Sequence, residues 1–551
     1  MRLPLLCFLL LVGEVTTRQA PSKDWALALQ YDILGVGEAY AFAGDNGTHS
    51  NTISRFFTKD GKGCGPNRPC IDKSCCNSNG YCGFKKEYCS PDAPVTCISG
   101  CGAKAQCGKD SKYSKKKCPL SLCCSDYGYC GTDSEFCDQN NKDHPCQKDF
   151  GGCEVHNAPQ CDKISGSATN GRKIGYYAAW NTRTRPCNRI WPKHLKAKGF
   201  SHMNFAFASI DPKTFQVVPA DPNDVNLYRQ FTALKTPRMQ TWISVGGWEF
   251  SDEGQPTRKA WSDLARSRKN RRTFCLSAIL FMRTYGFQGI DLDWEYPGAT
   301  DRGGRDEDTE NFVTLVKDMK ALIGDTFGLS VAIPATFSYM QFFDPKAMEP
   351  YVDWFNLMSY DLHGLWDSSY LGIGPKILPH TSLMELEKFL VPLWFSQTDP
   401  KKVNLGFAYY GRGYTVKDIN CANLGCEFKA GSKPGNCTDV GSILSRHEIK
   451  RIAAQKHLKP ELIKDAAVKV IKWDDQWVSY DDKETLQMKL EYANSRCFGG
   501  SFVWTVDFYS GKGRYAPIQD MLFRVLELTN KQWQYTGSRQ RFIRRRRALQ
   551  W

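Results

Sequence analysis

Between Lys173 and Val506 the chain returns eight times to short apolar runs. They are Lys173–Trp180, Ser201–Ala208, Gln240–Val245, Gly289–Glu295, Leu329–Ala335, Asp353–Tyr360, Val403–Tyr409 and Gly500–Val506. Each has strand length and is rich in β-branched and aromatic residues. Several are separated by stretches with helical periodicity, such as Arg271–Tyr285 and Glu310–Ile323. Eight strands alternating with helices predict an α/β fold, a (β/α)8 TIM barrel, which takes about 250 residues. The excess length has an address. Gly411 to Gly499 is too long for one crossover and predicts a small α+β insertion between strands seven and eight, carrying Cys421, Cys426 and Cys437.

Upstream the pattern changes. Met1 and Arg2 precede an apolar run from Leu3 to Val12, the profile of a signal peptide and too short to span a membrane. No later run is long and apolar enough for a transmembrane helix, so a secreted protein is expected, soluble or wall-associated, with no membrane insertion. The predicted organisation is 1–20 signal, 21–60 unassigned, 61–101 and 104–153 two small modules, 154–171 a polar linker, 172–525 the barrel and 526–551 a basic tail.

The two small modules are a repeat written in cysteine. Both Cys64 to Cys101 and Cys107 to Cys153 contain Cys, four residues, Cys-Cys, five residues, Cys, six residues, Cys. Each copy holds eight cysteines, enough for four bridges, which domains too small for a core need. Sequence alone leaves 105 connectivities open. Zinc is the other reading, opposed by the adjacent Cys-Cys pairs and by secretion. Of the 24 cysteines, removing Cys7 with the signal leaves an odd number, so one thiol is free or bonds a partner chain. Asn46-Gly47-Thr48 and Asn436-Cys437-Thr438 are glycosylation sequons.

The net charge of +15 is concentrated partly in Lys109–Lys117 and in the tail "RQRFIRRRRALQW". Secretion and dense disulfides argue against nucleic acid as a partner. A solvated basic surface remains, one that would also favour an acidic cell wall.

The chemistry concentrates in "GIDLDWEYP". Side chains alternate along a strand, so Asp291, Asp293 and Glu295 share one face while Ile290, Leu292 and Trp294 share the other. Crowded buried carboxylates raise one another's proton affinity, which keeps one protonated near neutral pH as a general acid. The strand has no Lys or Arg to neutralise them as a structural ion cluster, and no His accompanies them as in many metal sites. No metal or cofactor is expected.

"GIDLDWEYP", "SVGG" (Ser244–Gly247), "NLMSYD" (Asn356–Asp361) and "YYGRGY" resemble glycoside hydrolase family 18, the chitinases. The cysteine repeat resembles hevein-like chitin-binding modules, and the combination resembles fungal chitinases related to killer-toxin large subunits. These resemblances imply an endo-acting, retaining chitinase with a substrate-assisted mechanism. Glu295 would protonate the leaving oxygen. Asp293, supported by Asp291, would hold the substrate acetamido group together with Tyr360. Tyr176, Phe207, Trp248, Tyr296, Met358, Asp361, Tyr410 and Arg412 would line the cleft, with Gly247 and Ala335 giving room and Trp504 as floor. His363 is read as a polar loop residue without a role. Gln288 stands where the family often has a further acid, which implies tuning of the acid strand.

The hevein-like resemblance implies the bridges Cys64–Cys76, Cys70–Cys82, Cys75–Cys89 and Cys97–Cys101. In the second copy it implies Cys107–Cys124, Cys118–Cys130, Cys123–Cys137 and Cys146–Cys153. Sugar would bind the second copy at Ser125, Tyr127, Tyr129 and Phe136. The first copy has Asn77, Asn79, Tyr81 and Tyr88 there, and is expected to bind more weakly for want of an aromatic at Asn79. The alternatives are a chitin-binding lectin, a toxin subunit that uses chitin for docking, and an endoglycosidase acting on glycoproteins.

Overall fold

The computed structural model describes residues 64–70, 73–92, 95–163, 166–369 and 373–509. The expected signal peptide, the segment 21–60, the first sequon, the barrel's last residues and the basic tail lie outside them.

The eight apolar runs are eight parallel strands: β1 Arg172–Ala178, β2 His202–Ile210, β3 Gln240–Gly246, β4 Gly289–Asp293, β5 Gly328–Pro334, β6 Trp354–Met358, β7 Val403–Ala408 and β8 Gly500–Trp504. Each pairs with its neighbours in sequence, and β1 pairs with both β2 and β8, which closes the barrel. Burial on both faces explains why the strands read as apolar runs. Inside, Trp242 of β3 stacks on Trp354 of β6 with ring centroids 4.4 Å apart. Outside, the helix Arg268–Tyr285 turns Phe274, Cys275, Ala278, Phe281 and Met282 inward. Ser267 caps its start, and Gly286, at φ 81°, ends it in the left-handed conformation.

The insertion is a six-stranded antiparallel sheet with one helix, Arg446–Gln455. It begins at Tyr410 and ends before Lys483, because Lys483–Ser495 is the helix leading into β8. The expected range, 411–499, therefore took in one helix of the barrel itself: a helical stretch gives no sign in sequence of which body it packs on. Cys421–Cys426 closes a loop within the insertion, and Cys187–Cys437 ties it to the segment after β1.

All eight bridges implied for the two modules are formed. These sulfurs are bonded to one another, which removes zinc. Cys275 is the free thiol among the described residues, fully buried in its helix. Burial raises its pKa to about 12, so it offers no reactive thiolate to a partner chain.

Residues 154–163 and 166–171 are held against the barrel. Cys161 bonds Cys497, its N–H donates to Ser495 O, and Asn494 donates to Lys163 O. Ala168 is fully buried. Just upstream, Leu120 and Leu122 of the second module are buried, and His156 packs edge-on to Phe395 at 5.3 Å. Cys497 and Phe395 precede β8 and β7 in the chain. The second module is thus fastened near the end of the barrel where strands begin, opposite the end where Glu295 lies.

Candidate active site

Strand register builds the centre of the site. Asp291 on β4 lies between Ser244 on β3 and Ser330 on β5. Its carboxylate accepts from Ser244 Oγ (2.8 Å), Ser330 Oγ (2.6 Å), Tyr176 OH (2.8 Å) and Asn356 Nδ2 (3.2 Å). Burial raises its pKa and these four donors oppose the shift. Asp293, one pleat further out and 3% exposed, lacks such donors, and its Oδ1 has no hydrogen-bond partner. Burial first, then the charges of Glu295 and Asp291, push it well above the usual carboxylate range. Asp293 therefore competes with its acidic neighbours for a proton.

Glu295 stands two residues beyond the end of β4, 7% exposed and facing the cleft. Burial raises its carboxyl to about 7, opposed by a hydrogen bond from Tyr296 and the charge of Arg302, with Asp361 and Asp252 pushing upward. It holds its proton at mildly acidic pH and has a cleft to deliver it into. The glycines of "SVGG" serve this geometry. Gly246 has φ 108°, and a Cβ there would lie 2.2 Å from Asp293 O; a Cβ on Gly247 would lie 2.5 Å from the Phe207 ring.

The cleft is about 1400 Å³. Tyr176, Phe207, Gly247, Trp248, Asp293, Glu295, Tyr296, Ala335, Met358, Tyr360, Asp361, Arg412 and Trp504 all line it. Trp504 packs between Phe207 (5.7 Å) and Tyr176 (5.5 Å) as a floor. Two expected residues lie behind the surface: Asp291 is fully buried, and Tyr410, 3% exposed, donates its hydroxyl to Asp361 at 2.7 Å. Gln288 accepts from Thr241 N at 3.3 Å, just before β4 begins, with Asp291 two residues into the strand beyond it.

Sequence reasoning missed three features. Arg302 spans the cleft wall, donating to Glu295 O (3.1 Å) and Asp252 (2.6 Å) with its guanidinium 3.7 Å from the Trp248 ring. Trp180 and Trp366, 37% and 39% exposed, add aromatic walls, Trp180 stacking on Phe207 and Trp366 on Arg412. His363, expected to be an idle loop residue, is 2% exposed and bonds Asp367 (3.0 Å) and Glu385 (2.9 Å). Burial would lower its pKa, but the Glu385 charge and the Asp367 hydrogen bond raise it to about 10. This buried cation pins the loop that carries Tyr360 and Asp361. Only the apolar surroundings of one His hinted at it.

In the second module Ser125 Oγ accepts from Tyr129 N at 3.2 Å, and Asn77 Oδ1 does the same for Tyr81 N at 3.0 Å in the first. The two loops match in construction. Tyr81 is 51% exposed, and Tyr88, Tyr127, Tyr129 and Phe136 are half-buried.

A family model described as glycosyl hydrolases family 18 matches residues 172–508, and one described as chitin recognition protein matches 106–153. Chitotriosidase-1 of Mus musculus is 30% identical over 358 residues, which cover 62% of this chain and 74% of that protein. Probable chitinase LysM11 of Penicillium expansum is 28% identical over 362 residues, covering 61% of this chain and 32% of that one. Catalytic domain 2 of the Ostrinia furnacalis Group II chitinase superposes with a TM-score of 0.57 at 29% identity, over 63% of this chain and 94% of that one. A mutant of that domain, 30% identical with the same score and coverage, was solved with a (NAG)5 oligosaccharide.

Proposed function

Since the chain belongs to glycosyl hydrolases family 18, we propose that it is a secreted, endo-acting chitinase that cleaves β-1,4 linkages between N-acetylglucosamine residues with retention. Family membership together with chitinase relatives makes it a chitinase, and the match at residues 106–153 gives it a chitin recognition module; the manner of cleavage is the proposal. The observation that carries it is the split in the acid stack. Glu295 faces the cleft with a carboxyl near 7, while the Asp293 carboxyl behind it is pushed well above the usual range by burial and by the charges of Glu295 and Asp291.

Asp293, buried behind Glu295, is placed to hold the substrate's acetamido group rather than to attack the anomeric carbon. The substrate's own acetamido oxygen takes the nucleophile's part, attacking the anomeric carbon as Glu295 protonates the leaving oxygen. Asp293 orients the acetamido group and stabilises the positive charge that develops on it. Tyr360, whose hydroxyl is kept protonated by burial and by the charge of Asp293, donates to the acetamido oxygen. Water then opens the cyclic intermediate with Glu295 as base. Trp504 supports the reacting ring, and Trp180, Trp248 and Trp366 extend an open aromatic path that suits internal cleavage.

Fastened near the opposite end of the barrel, the second module serves as an anchor on chitin rather than an extension of the cleft. Its sugar platform is Tyr127, Tyr129 and Phe136 around Ser125. Disulfide density and the chitin substrate favour secretion. Product analysis tests the mechanism. Chitin oligosaccharides should yield the β-anomer first, and oligosaccharides deacetylated at the reacting sugar should resist cleavage. An initial α-anomer, or ready cleavage of the deacetylated substrate, would overturn it.

A further inference from the structure

We propose that the first cysteine-rich module is a built-in cover for the sugar platform of the second, so that chitin and the first module compete for the same aromatic faces. The inference rests on the reading of Tyr127 and Tyr129 as that platform.

A pyranose binds an aromatic by lying flat on its face. In the second module those faces are already taken. The Lys85 ammonium sits 4.3 Å from the centre of the Tyr127 ring, and His144 packs on the same ring at 4.8 Å. Phe84, 7% exposed, packs on Tyr129 at 5.0 Å. Phe84 and Lys85 are adjacent in the first module, in the turn between its strand Cys82–Gly83 and its helix Lys86–Cys89. The same turn is held by charge. Lys85 bonds the Asp126 carboxylate, which also accepts from Lys109 (3.2 Å) and His144 (3.0 Å). Asp126 lies between Ser125 and Tyr127, so the ion cluster sits in the loop that carries the platform.

The contact consists of one aromatic pair, one cation on a ring and one ion cluster. That is specific, yet small enough for a sugar polymer to displace. The second module is fixed to the barrel, so the first is the part that moves. Only residues 102–106 join them between the bridges Cys97–Cys101 and Cys107–Cys124. The charged cover explains why the first module keeps a complete cysteine frame although Asn79 stands where a sugar-stacking aromatic would be expected.

The test uses the full chain carrying Glu295→Gln, so that chitin is bound but not consumed. Adding Phe84→Ala and Lys85→Ala should strengthen retention on chitin beads on the order of tenfold, because apparent affinity scales with the open fraction. A second readout does not depend on these variants. A water-soluble carbodiimide, which takes up the water lost, joins the Lys85 amine to the Asp126 carboxylate as an amide that peptide mass spectrometry detects. The cross-linked fraction should be retained on chitin more weakly than the unlinked fraction, and prior addition of N-acetylglucosamine trimer should suppress the cross-link. Retention unchanged by the double substitution, with a cross-link yield indifferent to trimer, overturns the cover. Failure of the platform reading looks different: Tyr127→Ala then leaves retention unchanged in the uncovered variant.

Discussion

Asp293 and Asp361 face the same cleft from the ends of β4 and β6, and their protons behave oppositely. Asp293 sees two carboxyl neighbours and no cation, and is pushed well up. Asp361 accepts from Arg412 (2.6 Å) and Tyr410 (2.7 Å), and its carboxylate lies 3.3 Å from His380 Nδ1. Although burial would raise it, Arg412 above all drives it down, and its side chain remains 36% exposed. Burial alone therefore does not decide a carboxyl's state; the company it keeps does. One wall of the cleft stores protons while the other holds a fixed negative charge, and Glu295 lies between these regimes.

The largest effect that would break this contrast is loss of the donor. Glu295→Gln keeps the shape and removes the transferable proton, so hydrolysis should fall roughly a hundred- to ten-thousand-fold. Retention on chitin should persist, as initial rates and bead binding on one preparation would show.

On the charged side, the His363 cation is the support to remove. His363→Gln leaves Asp367 and Glu385 as uncompensated buried acids, at a cost of about 3–5 kcal/mol. Thermal unfolding should report the loss, and adding Glu385→Gln should recover part of it.

A stability effect of opposite sign sharpens the contrast on the acid side. The Glu295 carboxyl is raised on folding, so its contribution is full below the unfolded value of about 4.5 and is lost as pH climbs through about 7. Glu295→Gln should thus match the wild type in stability near pH 4.5 and exceed it above pH 7, by up to about 3 kcal/mol. Denaturant midpoints at the two pH values measure this.

The smallest effect joins the two walls. The Asp361 charge helps to hold the proton on Glu295. Asp361→Asn should move the alkaline limb of activity downward by about half a unit, a modest coupling through a partly solvated cleft.

These assignments divide according to what a sequence carries. The alternation in "GIDLDWEYP" announced the acid face, because a strand's period of two is local, and the barrel strands were legible to within a few residues. The cysteine frame was legible through the resemblance of its spacing to a known module. The donors to Asp291 come from four other strands, and it is barrel closure that brings Tyr176 and Asn356 to it. His363 and Glu385 lie 22 residues apart and meet only when a loop folds over a helix. Arg302 gave no periodic signal, and neither did Lys85, whose ring partner belongs to another module. Attachment of 154–163 and 166–171 was equally hidden, since Cys161 and Cys497 are 336 residues apart.

The central claim is that the buried acid stack makes Glu295 a proton donor near neutral pH. The pH dependence of kcat/KM on a soluble chitin oligosaccharide tests it most directly, because that ratio reports the free enzyme's groups. The account predicts a descending limb near pH 7, with the residual activity of Glu295→Gln losing that limb. A limb at about 4.5, the value of an ordinary exposed glutamate, or one that survives the substitution, would contradict it.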